Sequence, residues 1–372
     1  MLGLAIAAAV AAAITGACRD RPPHDRHAGS GEEAARRRAA LASARVWAAP
    51  RTDPGAADFS RNTAGPGYID AASDIDCDFS LDPVHGTTPK FHCTLPDGDR
   101  VKVKYGAANP EVPAQVAASR LLAALGFFVD RVMLVHSVRC RGCPPFPHQA
   151  LECLKHGIPR ALCLQGTPAS RVRAFEPATI ERRFDGEAIE SDDEEGWAWY
   201  ELDAVDARAG GSTRAQVDAL RLMAVLLAHW DNKPVNQRLV CPPGADRPDG
   251  SCRAPAAVLH DLGGTFGPMK ADLENWQHVP MWEDAAACRV GLSTLPFNGA
   301  TFRPADISEE GRQLALKLLR PIGAPQLNTL FDASGVARFP HVLAAARRPE
   351  AWTEAFLAKV AQIEAAGPCP ST

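Results

Sequence analysis

The feature that most constrains the fold is a helix whose second half is apolar on every side. The run STRAQVDALRLMAVLLAHW begins at Ser212, and Ser212 or Thr213 can cap its first turn. Its first half is amphipathic, but every residue from Leu222 to Ala228 is apolar. Because a helix that is apolar all round has to be buried, the sequence predicts a helical core around this segment. The polar run HWDNKPVNQ leaves that core directly after the helix.

Short strand-like runs separated by turn residues precede this helix. CDFSLDPVHGTTPKFHCTLPDGDRVKVKYG contains three such runs, and PDGD between the last two predicts a hairpin turn. NPEVPAQVAASRLLAALGF predicts a helix that stops at Gly126, and VDRVMLVHSV predicts one further strand. Beyond Pro304, ISEEGRQLALKLLRPI and PEAWTEAFLAKVAQIEAA predict more helices. The fold class is therefore α+β, with a small mixed strand-helix part followed by a larger helical part.

Two aspartates, thirty residues apart, each follow a segment that is expected to be buried. Asp231 lies in the polar run after the helix, and Asp261 lies in AVLHDLGGTFG. Acids so placed can share one divalent cation and one nucleophile. At this point the sequence resembles the protein-kinase-like fold. HWDNKPVN matches the kinase catalytic loop, and DLG matches the metal-binding Asp-Phe-Gly motif. The matching residues are His229, Asp231, Lys233, Pro234, Asn236, Asp261 and Gly263.

The resemblance implies a two-lobed molecule, with a small antiparallel-sheet N-lobe that carries one helix and a larger, mainly helical C-lobe. It places the N-lobe with a cysteine-rich insertion at 63–165 and the C-lobe at 166–372. The sequence has no Ala-Pro-Glu segment after Asp261, and CPPGADRPDGSC is inserted between the two acids. These departures favour an atypical branch, similar to lipid kinases, HipA-like kinases and secreted kinases.

The same resemblance implies roles for single residues. In VKVKYG, the register of the family motif selects Lys104 to neutralise the phosphates of ATP. Asn236 and Asp261 would hold Mg²⁺ or Mn²⁺, Asp231 would orient and deprotonate a hydroxyl acceptor, and Lys233 would steady the transferred phosphoryl group. The acceptor itself is not legible in the sequence.

Two further segments are assigned to nucleotide binding. HGTTP is expected to cover the phosphates through Gly86 and the backbone amides of Thr87 and Thr88. A kinase pairs its phosphate-binding lysine with a helix glutamate, but Glu111 precedes the expected helix start. Gln115 occupies the better-buried position, and its amide oxygen can accept a hydrogen bond from the lysine without neutralising it.

Ten of the eleven cysteines form an even set that is typical of a disulfide framework in an oxidising compartment. The expected pairs are Cys77 with Cys93 and Cys241 with Cys252. The spacing also leaves open a tetrahedral zinc site. Its four ligands would be Cys140, Cys143, Cys153 and Cys163.

The eleventh cysteine, Cys18, ends the apolar run LGLAIAAAVAAAITGA. The run suits a signal peptide at 1–17, and TGAC resembles a bacterial lipobox. We therefore expect an exported lipoprotein, periplasmic or at the cell surface, anchored to a membrane through lipidated Cys18, with a flexible tether at 18–62. The net charge of −4 and the pI near 6.3 argue against a nucleic-acid partner.

Three functions fit these observations. The first is an exported phosphotransferase that moves the γ-phosphoryl group of ATP to a hydroxyl acceptor with Mg²⁺ or Mn²⁺. The second is a pseudokinase that binds a nucleotide or a partner without transfer. The third is a disulfide-stapled surface lipoprotein without catalysis.

Overall fold

The computed structural model describes residues 23–191, 195–296, 299–341 and 343–370, with side chains from residue 31 onward. Its helices are α1 (Pro23–Ala42), α2 (Glu111–Ala124), α3 (Pro147–Lys155), α4 (Arg160–Cys163), α5 (Arg214–Leu226), α6 (Leu273–Trp276), α7 (Glu309–Leu319), α8 (Ala324–Ala333) and α9 (Pro349–Ala365). Its strands are β1 (Asp74–Phe79), β2 (Lys90–Thr94), β3 (Arg100–Tyr105), β4 (Arg131–Val135), β5 (Ser137–Arg141), β6 (Val172–Phe175), β7 (Ala178–Arg182), β8 (Glu187–Ala188), β9 (Gln237–Cys241), β10 (Ala256–Leu259), β11 (Arg289–Val290) and β12 (Ala305–Asp306). The chain is a mixed α+β protein, as the sequence predicts.

The largest sheet contains seven strands in the order β4-β7-β3-β2-β1-β5-β6. Its neighbouring strands are antiparallel except β1 and β5, which are parallel, so the expected antiparallel sheet is in fact mixed. VDRVMLVHSV, expected as one strand, forms both β4 and β5, which only His136 separates. Because β4 lies at one edge and β5 lies next to the other edge, the sheet has to curl so that its two sides approach each other.

The helices pack around α5, the helix that the sequence places in the core. Thr213 caps α5 by accepting a hydrogen bond from the Gln216 backbone amide, and Gln216 completes a capping box. The apolar half of α5 is fully buried in a cluster with α2, α7, α8 and α9. Helix α8 lies in a segment where the sequence pattern predicts no element. A second apolar cluster fills the seven-stranded sheet, and Phe91, Val103 and Ile180 lie at its centre without exposure.

Two expected boundaries need correction. Residues 18–62 were assigned to a flexible tether, but Leu41, Ala44, Val46 and Phe59 are buried in the helical cluster. These apolar side chains are buried because α1 ends beside the helical cluster, so the chain that follows packs against it. The boundary at 166 also fails, because β6 and β7 follow it in sequence yet belong to the seven-stranded sheet.

The expected signal peptide at 1–17 and Cys18 lie outside the described residues. Among the helices of the described part, none combines the length and the apolar character that crossing a bilayer requires.

The ten remaining cysteines form five disulfides within the described residues. Cys77–Cys93 and Cys241–Cys252 are paired as expected. The four cysteines considered as zinc ligands are instead joined as Cys140–Cys143 and Cys153–Cys163. Their sulfur atoms are consumed in disulfides, so they offer no thiolates to a zinc ion. The fifth disulfide joins Cys288 to Cys369 across 81 residues.

Candidate functional site

The polar run after α5 is held by backbone hydrogen bonds to the segment that follows β10. Ala228 has a φ of 50°, which turns the chain out of the helix. The Trp230 amide then donates to the Gly264 carbonyl at 3.2 Å. On the other side, the amides of His260 and Asp261 both donate to the Asn236 carbonyl, at 2.9 and 3.0 Å. The two motifs that the sequence places thirty residues apart therefore form one rigid unit.

Lys104 lies at the centre of the site with its side chain only 1% exposed. Its Nζ is 2.8 Å from Asp261 Oδ1 and 2.9 Å from Glu111 Oε2. Burial alone would lower the pKa of Lys104, but the carboxylates of Asp261 and Glu111 raise it well above its ordinary value. Lys104 is therefore a fixed positive charge, the state that phosphate binding requires.

The partner of Lys104 on α2 is Glu111, although the sequence pattern favours Gln115. Helix α2 begins at Glu111, two residues earlier than Pro113 suggests, and the Glu111 carboxylate reaches Lys104. Gln115 is buried one turn further on, where its Nε2 donates to Glu181 Oε2 at 2.5 Å. The expected hydrogen bond between Gln115 and Lys104 is wrong, and Lys104 has a neutralising carboxylate in its place.

Asp261 is held by cations and by its own turn. Its Oδ1 accepts from the Gly263 amide at 3.0 Å, and its Oδ2 lies 3.5 Å from Lys102 Nζ. Burial would raise the pKa of Asp261, but Lys104 and Lys102 hold it well below its usual range. The carboxylate is therefore ionised at neutral pH.

Gly263 and Gly264, the glycines that follow Leu262, allow the backbone to pass close to Lys104 and Asp231. A Cβ at Gly263 would lie 2.9 Å from Lys104 Nζ, and one at Gly264 would lie 2.6 Å from Asp231 Cβ. A side chain at either position would push the lysine or Asp231 away. The double glycine of DLGG is therefore a packing requirement of the site.

Asp231 faces the open side of the site, with a quarter of its side chain exposed. Its Oδ1 lies 3.0 Å from Lys233 Nζ, and its backbone carbonyl accepts from Asn236 Nδ2 at 2.5 Å. Asn232, fully buried, anchors the loop: its Oδ1 accepts from the amides of Thr301 and Phe302 at 2.7 and 2.8 Å. The loop therefore brings together the three residues that the sequence assigned to it, Asp231, Lys233 and Asn236.

The turn that contains Gly86, Thr87 and Thr88 approaches the same site. Gly86 has a φ of 81°, a conformation that glycine adopts without strain, and a Cβ there would lie 3.2 Å from Lys90 Nζ. Thr88 Oγ1 is buried without a hydrogen-bond partner within the described chain. Thr87 is exposed at the tip of the turn.

Asn236 and Asp261 fit a hard divalent cation. Such a cation prefers oxygen ligands, and both residues supply one. Asn236 uses its Nδ2 to bind Asp231, and no donor among the described residues contacts its Oδ1. Asp261 Oδ2 lies 3.5 Å from Lys102 Nζ, so this oxygen can also reach a ligand.

Sequence reasoning missed three charged groups of the site. Lys90 is buried and faces Lys104 across the β2–β3 hairpin. Counting outward from the PDGD turn would have found it, because residues 94 and 100 are paired and the register continues from there. Lys270 contacts Glu111, and Glu181 lies 2.6 Å from Lys102 Nζ. Neither of these two has a local sequence signal, because each meets its partner only in the folded sheet.

No protein-family model matches this chain, and no curated protein matches it. Among solved structures, the chain is similar to a Helicobacter pylori proinflammatory kinase, CtkA, with a TM-score of 0.43 and 10% sequence identity. The match covers 79% of this chain and 97% of that chain.

Proposed function

We propose that this protein is a kinase-like phosphotransferase of an atypical branch, which moves the γ-phosphoryl group of a nucleoside triphosphate to a hydroxyl acceptor. The observation that carries the proposal is Lys104, buried and held between Glu111 and Asp261, directly beside the loop of Asp231 and Asn236. A buried cation flanked by two carboxylates is expensive to desolvate, and phosphate binding explains why it is maintained.

Each residue then has one task in the transfer. Lys104 binds the phosphates, while Asn236 and Asp261 are the oxygen ligands for Mg²⁺ or Mn²⁺. The metal neutralises charge that develops on the phosphate oxygens when it is bound. The hydroxyl oxygen of the acceptor bonds to the γ-phosphorus while Asp231 accepts the hydroxyl proton. The bond between the γ-phosphorus and the nucleoside diphosphate breaks, and the diphosphate leaves. Lys233, 3.0 Å from Asp231, steadies the transferred group.

The acceptor docks beside this loop. A cavity of about 160 Å³ adjoins the residues on either side of Asp231. Its lining is mostly apolar and consists of Trp230, Asn232, Leu292, Ser293, Leu295, Pro296, Ala300, Phe302 and Pro304.

Calorimetric titration of the oxidised protein with ATP and Mg²⁺ or Mn²⁺ tests the proposal. Asp261→Asn should abolish metal-dependent binding because it removes the anionic ligand. Asp231→Asn should leave binding intact and lower transfer at least about a hundredfold, as loss of a general base does. Asp332→Asn, the same change at an exposed acid, serves as the matched control.

The alternatives give different results. A pseudokinase would bind nucleotide without transfer in the unaltered protein. A surface lipoprotein without catalysis would show no nucleotide-dependent heat or thermal shift with either metal. In that case the Lys104 cluster would be structural and the proposed function would be wrong.

We further propose that the protein is exported and lipidated at Cys18. Five disulfides are typical of oxidising compartments, which supports export. Mass spectrometry of the membrane fraction should find an acylated peptide that begins at Cys18. An unmodified N-terminus upstream of that residue would contradict the proposal.

A further inference from the structure

A second cavity, of about 330 Å³, opens on the face of the seven-stranded sheet beside the candidate site. His92, Lys102 and Glu181 occupy paired positions on β2, β3 and β7, so their side chains point to one face of the sheet. Lys102 also lies 3.5 Å from Asp261 Oδ2, which places the cavity beside the proposed phosphate site. Its volume is at the lower end of the range for ligand pockets, about 300 to 1,000 Å³.

The residues that line this cavity all have polar or charged side chains. They are His92, Arg100, Lys102, Glu181, Arg183 and His260. A flat apolar group placed there would desolvate these charges without offering hydrogen bonds in return, which is costly. The cavity therefore fits a ligand that carries both donors and acceptors.

A metal ion is a poor occupant for this region. Asp130, Glu181 and His260 place one donor atom each within 4.8 Å of one another. However, His260 Nδ1 and Asp130 Oδ2 are 2.5 Å apart, which is a hydrogen-bond distance. Two ligands of one tetrahedral zinc ion lie more than about 3 Å apart. Glu181 is in addition already neutralised by Lys102 at 2.6 Å.

Two adjacent groups determine what the cavity can recognise. Glu181 is a buried acceptor whose Oε1 lies 2.6 Å from Lys102 Nζ and 3.5 Å from His260 Nδ1, and whose Oε2 accepts from Gln115 Nε2. A carboxylate oxygen has two lone pairs, so each oxygen can accept more than one hydrogen bond. Lys102 is a donor with three N–H bonds, directed to Glu181, to Asp261 and to one remaining partner. The cavity thus offers a carboxylate beside an ammonium group.

We propose that this cavity binds the base of the nucleotide and prefers guanine to adenine, an inference that rests on the proposed function. Guanine presents two neighbouring donors, N1–H and the 2-amino group, beside the acceptor O6. The donors match Glu181 and the acceptor matches Lys102. Adenine presents a single donor group at this edge, the 6-amino group, beside the acceptor N1. It therefore gives the carboxylate one hydrogen bond where guanine gives two. Sites built for such hydrogen bonds discriminate strongly against analogues that lack them.

The test is calorimetric titration of the unaltered oxidised protein with the Mn²⁺ complexes of four compounds: GTP, inosine triphosphate, ATP and inorganic tripolyphosphate. GTP should bind at least tenfold more tightly than ATP. Inosine triphosphate, which keeps N1–H and O6 but lacks the 2-amino group, should lie between them. Equal or tighter binding of ATP would overturn the inference.

The tripolyphosphate arm separates this inference from the proposed function. If tripolyphosphate binds as tightly as every nucleotide, the base has no site, so the inference fails while the phosphate site stands. If none of the four compounds binds, the proposed function fails and the inference with it.

A variant tests the residue itself. Glu181→Gln should reduce the preference for GTP to within about twofold, because an amide cannot accept from both guanine donors. Glu187→Gln, the same change at an exposed position, should retain the preference. If circular dichroism shows that the Glu181→Gln protein is folded and it still prefers GTP, the assignment is overturned. If that variant does not fold, the comparison of the four compounds in the unaltered protein decides.

Discussion

The charges on the β2–β3 hairpin determine the electrostatics of the site at the scale of single residues. Lys102 and Lys104 each lie within 3 Å of a carboxylate, Glu181 and Glu111 respectively. Lys90 has no carboxylate within ion-pair distance among the described residues, although it is buried. Burial and the charge of Lys104 lower the pKa of Lys90. Burial and Lys104 therefore disfavour the charged form of Lys90, which a bound anion would favour.

We predict that Lys90→Met raises the thermal stability of the free protein and lowers its affinity for tripolyphosphate about tenfold. Both effects have one cause, because the change removes a cation whose desolvation only a bound anion offsets. Thermal unfolding and calorimetry measure them on the same sample. Lys317→Met, an exposed control, should change neither quantity. A loss of affinity together with a loss of stability would point to structural damage instead.

Helix α2 illustrates what the sequence can and cannot predict at the scale of elements. Its apolar face and its stop at Gly126 follow from the pattern, and a Cβ at Gly126 would collide with the Ala48 carbonyl oxygen. Its first residue does not follow, because proline is tolerated anywhere in the first turn and Pro113 is the third residue of the helix. This difference of two residues decides whether Glu111 or Gln115 meets Lys104. The PDGD hairpin and the loop after α5 were predictable because their signals are local.

We predict that Glu111→Gln destabilises the protein at neutral pH by up to about 3 kcal/mol. Burial would raise the pKa of Glu111, but Lys104 lowers it to about 2. An acid whose folded pKa is depressed adds stability above its ordinary pKa of 4.5, and that stability is lost as the pH falls towards 2.

Denaturant unfolding between pH 2 and pH 7 measures this contribution. The variant should lack the decline in unfolding free energy below pH 4.5 that Glu111 causes in the unaltered protein. Glu354→Gln, at an exposed position of α9, should retain that decline. Parallel curves for the unaltered protein and Glu111→Gln would show that Glu111 does not stabilise the fold through Lys104.

At the scale of the whole molecule, long-range contacts were the least predictable. Cys77–Cys93 and Cys241–Cys252 follow from sequence because each pair flanks a turn between neighbouring strands. Cys288–Cys369 does not, because nothing local relates residues 81 positions apart. The burial of Leu41 and Phe59 could not be predicted either, because their packing partners belong to helices that are distant in sequence. The sequence therefore predicts local parts of the site better than the packing around it.

The Cys288–Cys369 disulfide gives a prediction for the entire fold. It closes a loop of 81 residues and ties the end of α9 to the region before β11. Cross-linking so long a loop reduces the entropy of the unfolded chain, by about 4 to 5 kcal/mol in the loop-closure model. The double variant Cys288→Ala with Cys369→Ala should therefore lower the unfolding free energy by about that amount.

Cys140→Ala with Cys143→Ala opens a loop with a sequence separation of 3 and should lower the unfolding free energy clearly less. Denaturant unfolding under non-reducing conditions compares the two. Equal losses would mean that local packing of the cysteines, and not loop closure, is what these bonds contribute.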